Sequence, residues 1–82
     1  TYCDAELFGE TPFAGRRVME WCPSVGPVTF DSLVTGGCTV LLSSTLARRE
    51  SLCAAGLFPD LAHCEDLDLW LRVALAGHEI TY

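Results

Sequence analysis

Acidic side chains are concentrated at the start of the last apolar segment of the chain, where Glu65, Asp66 and Asp68 precede Arg72. At the helical rotation of about 100° per residue, Glu65, Asp68 and Arg72 share one polar arc. Asp66 projects from a different side, among apolar residues. Carboxylates in such positions are candidates for proton transfer, and Asp66 is the one that the helical pattern singles out.

The spacing of Asp66 leaves two interpretations open. An acid in the first turn of a helix stabilises the positive end of the helix dipole and accepts hydrogen bonds from free backbone amides. The same carboxylate, facing a cleft, could act as a general base. Asp68 and Arg72 need no functional explanation, because an acid four residues before a base forms a favourable helical ion pair.

Two further side chains are candidates for contacts with a substrate. His63, just before the predicted helix, could touch an acceptor or a phosphate, or it could be an exposed loop histidine. Trp70 could stack on an acceptor sugar, or it could be a core residue of an apolar helix.

Five cysteines are present, an odd number, and their spacing contains no Cys-x-x-Cys and no histidine pair at zinc-finger distance. A metal site is therefore unsupported within the chain. Cys38 and Cys53 lie in apolar contexts, where a reduced cysteine behaves as a small hydrophobic residue. We expect reduced, structural thiols in a cytosolic setting.

Length and composition limit the chain to one domain with a thin core. It has 82 residues, a net charge of −6 and 50% hydrophobic residues, which excludes a disordered tail. The acidic balance and the absence of lysine argue against nucleic acid or an anionic membrane as the main partner. No apolar run reaches the length of a membrane span. Because the chain begins at Thr1 and ends at Tyr82 within a predicted strand, we expect it to be a piece of a longer protein.

Three helices are predicted. Thr29 caps a short helix that the Gly36-Gly37 pair ends, and a second helix over 48–55 is closed by Gly56. The third begins at Glu65 and closes at Gly77. Its apolar residues form two stripes, which predicts a helix that is covered on both sides.

The remaining segments are predicted to be strands or loop. Strands are expected at the beginning of the chain, around Val18, over 38–44 and over 78–82. A long irregular loop over 9–29, rich in proline and glycine, is a candidate binding segment. The alternation of strands and helices predicts an α/β fold in which helices pack on a sheet that is completed elsewhere.

The second half of the chain contains an ordered set of motifs. An Arg-Arg-Glu helix begins at Arg48, a turn follows over 55–60, and Glu-Asp-x-Asp-Leu-Trp-x-Arg occupies 65–72 before the closing Gly77. This order over 38–82 resembles the C-terminal, acceptor-side half of a family 2 glycosyltransferase domain. The turn departs from the Gly-Gly-Phe-Asp more common in the family. No Gln-x-x-Arg-Trp follows, so nothing supports a processive polysaccharide synthase.

The resemblance implies a partial GT-A fold, a Rossmann-like α/β sandwich of a few strands and three helices that lacks the nucleotide-binding half. It implies an enzyme that transfers a sugar, of the hexosyltransferase type, from a nucleotide-diphosphate sugar to a sugar or lipid acceptor, usually with inversion. Asp66 matches the family's general base, and Glu65 would then support the acceptor. With Trp70 and His63, argued above from their own positions, Glu65 makes up the candidate acceptor-binding set. The 9–29 loop would lie near that acceptor.

The resemblance also implies features that lie outside these 82 residues. The family's Asp-x-Asp motif, which holds Mg²⁺ or Mn²⁺ against the diphosphate, is absent and would lie upstream of Thr1. The fragment alone is then inactive, and the longer protein is cytoplasmic or sits at the cytoplasmic face of a membrane. The alternative is a non-catalytic module that binds a partner or forms a homo-oligomer through an exposed sheet edge or apolar surface.

Overall fold

The chain forms three short α-helices connected by irregular segments. The structure is a computed structural model that describes all 82 residues. The helices are α1 (Phe30–Val34), α2 (Arg49–Ala54) and α3 (Glu65–Leu75), with 3-10 turns at Val18–Glu20 and Leu42–Ser44. None of the helices combines the length and the apolar character needed to cross a bilayer.

Local capping determines where α1 begins and ends. The Thr29 hydroxyl accepts a hydrogen bond from the Ser32 amide at 3.1 Å, and the Ser32 hydroxyl accepts one from the Thr29 amide at 2.8 Å. This reciprocal pair satisfies two donors that a helix start otherwise leaves free. Gly36, at φ +75°, ends the helix in the left-handed conformation. The predicted Thr29 cap and glycine stop are confirmed.

The ends of α2 and α3 share one hydrogen-bond pattern. After α2, the Gly56 amide donates to the Cys53 carbonyl and the Leu57 amide to the Leu52 carbonyl. After α3, Gly77 and His78 repeat the pattern. Both are Schellman motifs with a left-handed glycine, which confirms the predicted stops at Gly56 and Gly77.

The predicted α/β sandwich is wrong. No strand or sheet forms; the only β-type pairings are isolated bridges between Tyr2 and Thr45 and between Glu6 and Arg17. The partial GT-A fold with a few strands is therefore replaced by a mostly helical and irregular structure. Three helices are present, as predicted.

The expected strands do not form, because their backbone groups make hydrogen bonds to other parts of the chain. In the 38–44 segment, the Cys38 amide donates to the Ser32 carbonyl and the Thr39 amide to the Ser24 hydroxyl, and 42–44 coil into a 3-10 turn. The segment around Val18 is also a 3-10 turn. The 78–82 segment is extended but pairs with Tyr2 through one backbone bond. A β-branched run forms a strand only when a neighbour completes the ladder.

The 9–29 segment is irregular, as predicted, but it is anchored at both ends. The Asp4 carboxylate accepts hydrogen bonds from the Ala5 amide at 2.8 Å and the Met19 amide at 3.0 Å. Backbone bonds between Leu7 and residues 15 and 16 close the tip into a hairpin-like turn. These bonds hold the base of the loop against the N-terminal segment.

A small core lies between α1, α3 and the extended segments. Seven buried apolar residues form it: Tyr2, Leu33, Val40, Leu69, Trp70, Val73 and Ile80. Three of them come from one face of α3. Leu67 and Leu75 of the same helix remain exposed. The expectation that α3 is covered on both sides is therefore wrong for these two residues.

Candidate functional site

The first turn of α3 positions Asp66. Cys64 precedes the helix in the left-handed conformation, at φ +60°, and provides no side-chain cap. The Oδ1 atom of Asp66 instead accepts a hydrogen bond from the Leu67 amide at 2.8 Å, whereas Oδ2 has no hydrogen-bond partner in the chain. The half-buried carboxylate is thus oriented through one oxygen, and the other is free to bind a ligand.

Asp66 lines a cavity of about 280 Å³ between α1, the start of α3 and the extended segment 38–41. From α3 the cavity is lined by Asp66, Leu67 and Trp70. The opposite walls consist of Leu33, Gly36 and residues 38–41. A carboxylate at the edge of an apolar cavity can accept a hydrogen bond from the hydroxyl group of a ligand that enters it, which is the first requirement for a general base.

Trp70 lies one helical turn after Asp66 and lines the same cavity. It is only 4% exposed and belongs to the core, so the core interpretation of this residue is confirmed. Its Nε1 atom is buried without a hydrogen-bond partner. A buried donor of this kind is costly and is usually satisfied. Trp70 therefore has a packing role, and its indole N–H has no hydrogen-bond partner in the chain.

The other two predicted acceptor residues lie outside the cavity. Glu65 is half-buried at the first position of α3, and His63 is exposed in the turn before the helix. Neither contributes to the cavity lining. The structure thus brings Asp66 and Trp70 together and leaves Glu65 and His63 apart from them.

Asp68 and Arg72 form the predicted ion pair, at 2.8 Å between Oδ2 and Nη2. Arg72 also donates to the carbonyl oxygens of Ala55 and Leu57, just beyond α2. These bonds tie the end of α2 to α3. The pair therefore has a structural role, and it leaves Asp66 as the carboxylate of α3 that faces the cavity.

The 9–29 loop does not line the cavity but forms hydrogen bonds to one of its walls. The Ser24 hydroxyl donates to the Thr39 carbonyl at 3.2 Å and accepts from the Thr39 amide at 3.0 Å. No residue of 9–29 is part of the lining. Sequence reasoning missed Ser24 and the 38–41 wall, because the apolar run that begins at Cys38 was interpreted as a sheet strand.

A second cavity, of about 530 Å³, lies on the other side of Trp70. Its apolar part includes Leu52, Val73 and Ile80, and its polar part includes Arg48, His78 and Glu79. Apart from Trp70, none of the predicted site residues lines it. The core tryptophan thus contributes to both cavities, while the candidate base belongs to the smaller one.

The five cysteines are all unpaired, with Cys38 buried and the other four exposed. Cys38 thus packs as predicted, whereas Cys53 does not, because it lies on the outer side of α2. No group of three or more histidine, cysteine, aspartate or glutamate side chains is placed to hold a metal ion. The metal motif expected upstream of Thr1 lies outside these residues.

Comparison with known proteins finds no match among family models, curated proteins or solved structures. The resemblance over 38–82 therefore remains a prediction from the sequence.

Proposed function

We propose that the chain is the acceptor-side part of a glycosyltransferase that transfers a hexose from a nucleotide-diphosphate sugar to an acceptor hydroxyl, with Asp66 as the general base. The observation that carries the proposal is the cavity that Asp66 shares with Trp70, with Oδ2 of the carboxylate unengaged. The motif order over 65–77 supports it. The proposal does not depend on a sheet.

The reaction makes a specific demand on Asp66. An alcohol is a weak nucleophile at neutral pH, so a positioned carboxylate must take its proton as the oxygen attacks the anomeric carbon. The new C–O bond forms as the bond to the diphosphate breaks, and the products are the glycoside, the nucleoside diphosphate and protonated Asp66. Attack from the face opposite the leaving group inverts the anomeric carbon.

The remaining parts of the reaction belong to the proposed longer protein. Mg²⁺ or Mn²⁺, bound there, would neutralise charge on the diphosphate. The residues described here provide no ligand set for such an ion, so no step through it is assigned to them. The 82 residues alone should be inactive. We place the longer protein in the cytoplasm or at the cytoplasmic face of a membrane, in keeping with five unpaired cysteines.

A second candidate is a binding or assembly module without turnover. The observation that favours it is the exposure of large apolar side chains, above all Phe8 at 91% and Leu46 at 76%. Exposed apolar surface of this kind marks interaction sites in soluble proteins. Turnover separates the two candidates, because a module can bind a partner but releases no nucleotide.

The test is a screen of nucleotide sugars with the longer protein that contains this chain, in which release of the nucleoside diphosphate is measured. Asp66→Asn should retain nucleotide binding and lose turnover by about two orders of magnitude or more. Equal turnover of both proteins would show that Asp66 is only a helix-start acid. Nucleotide-sugar binding without turnover by the wild type would favour the binding module.

A further inference from the structure

The lining of the Asp66 cavity is mainly apolar. Six of its nine residues are hydrophobic, namely Leu33, Cys38, Val40, Leu41, Leu67 and Trp70. Polar side-chain atoms come from Asp66, Thr39, the Cys38 thiol and the Trp70 indole. The thiol is directed elsewhere, since its Sγ lies 3.7 Å from the carbonyl oxygens of Val25 and Pro27. The cavity therefore offers few partners to a ligand with many hydroxyl groups.

We infer that the acceptor is an apolar alcohol, a molecule that carries its reacting hydroxyl on a hydrocarbon body, and not a sugar. The inference rests on the proposed function and names the substrate class of the same site. A sugar would bring several hydroxyl groups into contact with leucine and valine side chains. Each buried hydroxyl left unpaired lowers the affinity by about tenfold.

The Asp66 carboxylate suits one hydroxyl. The free Oδ2 of Asp66 can accept the hydroxyl hydrogen, which is also the proton that transfer removes. The rest of the lining removes hydrocarbon surface from water. The volume of about 280 Å³ is at the lower end of ligand sites, which limits the part of the acceptor that enters to a single ring or a short chain.

The experiment is an NMR titration of the ¹⁵N-labelled 82-residue chain, in which its two indole N–H resonances are monitored. Trp70 lines the cavity, whereas Trp21 is half-exposed on Phe13 and serves as an internal reference. The Trp21→Phe variant assigns the two signals. The probes are cyclohexanol and methyl glucoside, which share a six-membered ring but differ in the number of hydroxyl groups.

Cyclohexanol should shift the Trp70 signal saturably, leave the Trp21 signal in place and bind about tenfold tighter than methyl glucoside or better. Asp66→Ala should weaken the binding of cyclohexanol, which assigns it to the Asp66 cavity and not to the second cavity that Trp70 also lines. Asp31→Ala is the matched control, because Asp31 is the second residue of α1, as Asp66 is of α3, and lies outside the cavity. It should bind cyclohexanol as the wild type does.

Two results would overturn the inference. If methyl glucoside shifts the Trp70 signal with equal or greater affinity, the acceptor is not restricted to apolar alcohols, while the transferase proposal stands. If neither probe shifts it, the cavity is not an acceptor site for an apolar alcohol. The turnover of Asp66→Asn then decides separately whether the proposed transfer takes place.

Discussion

At the scale of single residues, Arg72 shows how a charged side chain can organise two helices. Its guanidinium binds Asp68 within α3 and the carbonyl oxygens of Ala55 and Leu57 after α2. The planar fork of arginine donors makes this possible, because it can serve several acceptors at once. These two carbonyl oxygens, which follow α2, accept no other hydrogen bond in the chain.

Replacing Arg72 should therefore loosen the junction of α2 and α3. Arg72→Met removes the ion pair and leaves two carbonyl oxygens without their donor, so we expect the free energy of unfolding to fall by about 1–3 kcal/mol. Urea denaturation followed by circular dichroism measures this change. Arg48→Met is the control, since the exposed Arg48 side chain has no hydrogen-bond or ion-pair partner in the chain. Equal losses for both variants would contradict the bridging role.

Asp66 should contribute little to stability. Its only hydrogen bond in the chain is with the neighbouring Leu67 amide, and an asparagine oxygen can accept that bond. We expect Asp66→Asn and Asp31→Asn each to change the free energy of unfolding by less than about 1 kcal/mol, the range of helix-dipole effects. The same urea assay tests this. A much larger loss in Asp66→Asn alone would indicate a structural role and weaken the case for a general base.

At the scale of secondary-structure elements, the helices were predictable and the strands were not. Helix signals are local: the Thr29 cap, the acidic start of α3 and the glycines after each helix all act within a few residues. A strand depends on a partner that can be far away in the chain. The 38–41 segment, apolar and β-branched, finds its hydrogen bonds in Ser24 and Ser32 instead.

The candidate site, too, was predictable only where its residues lie on one helix. The helical spacing of Asp66 and Trp70 places both on one face, so their common position was predictable from α3 alone. The opposite wall was not, because it depends on how α1 and the 38–41 segment pack on α3. Glu65 is an acceptor residue only by the family motif and His63 only by its position before the helix, and neither signal shows which side chains face a cavity.

The glycine that ends α2 provides a test at the scale of secondary-structure elements. Gly56 has φ +88°, and a Cβ atom there would lie 3.3 Å from Nη1 of Arg72. Gly56→Ala should lower the free energy of unfolding by about 1–2 kcal/mol, since a side chain is strained in the left-handed region. Gly37→Ala is the control, because its φ is not positive and its Cβ would meet only ordinary contacts. Thermal denaturation measures both variants. A lower melting temperature for Gly37→Ala than for Gly56→Ala would contradict the strain assigned to Gly56.

At the scale of the whole molecule, the chain exposes more surface than its mass requires. Its accessible surface is 5780 Å², whereas the size scaling of folded monomers gives about 4,800 Å² for 8.9 kDa. Its radius of gyration of 13.2 Å exceeds the roughly 11.7 Å expected for 82 residues. Half of the residues are hydrophobic, yet only eight residues are buried. We expect this surface to be covered by further protein.

Stability should therefore depend strongly on the few residues that are buried. Leu69 is fully buried, and Leu69→Ala should cost about 2–5 kcal/mol, a large part of the total stability of so small a domain. Leu75→Ala is the matched control on the exposed side of the same helix and should be nearly neutral. The loss of helical circular dichroism on heating measures both. Similar melting temperatures for the two variants would show that α3 does not pack as described.

The central claim is that Asp66 takes the proton from the acceptor. Its most direct test is single-turnover transfer in the proposed longer protein, with donor bound in advance, so that the chemical step is observed without nucleotide binding. Asp66→Asn should slow that step by about 100-fold or more, and Asp31→Asn should leave it within about twofold of the wild type. Equal rates for Asp66→Asn and the wild type would contradict the claim.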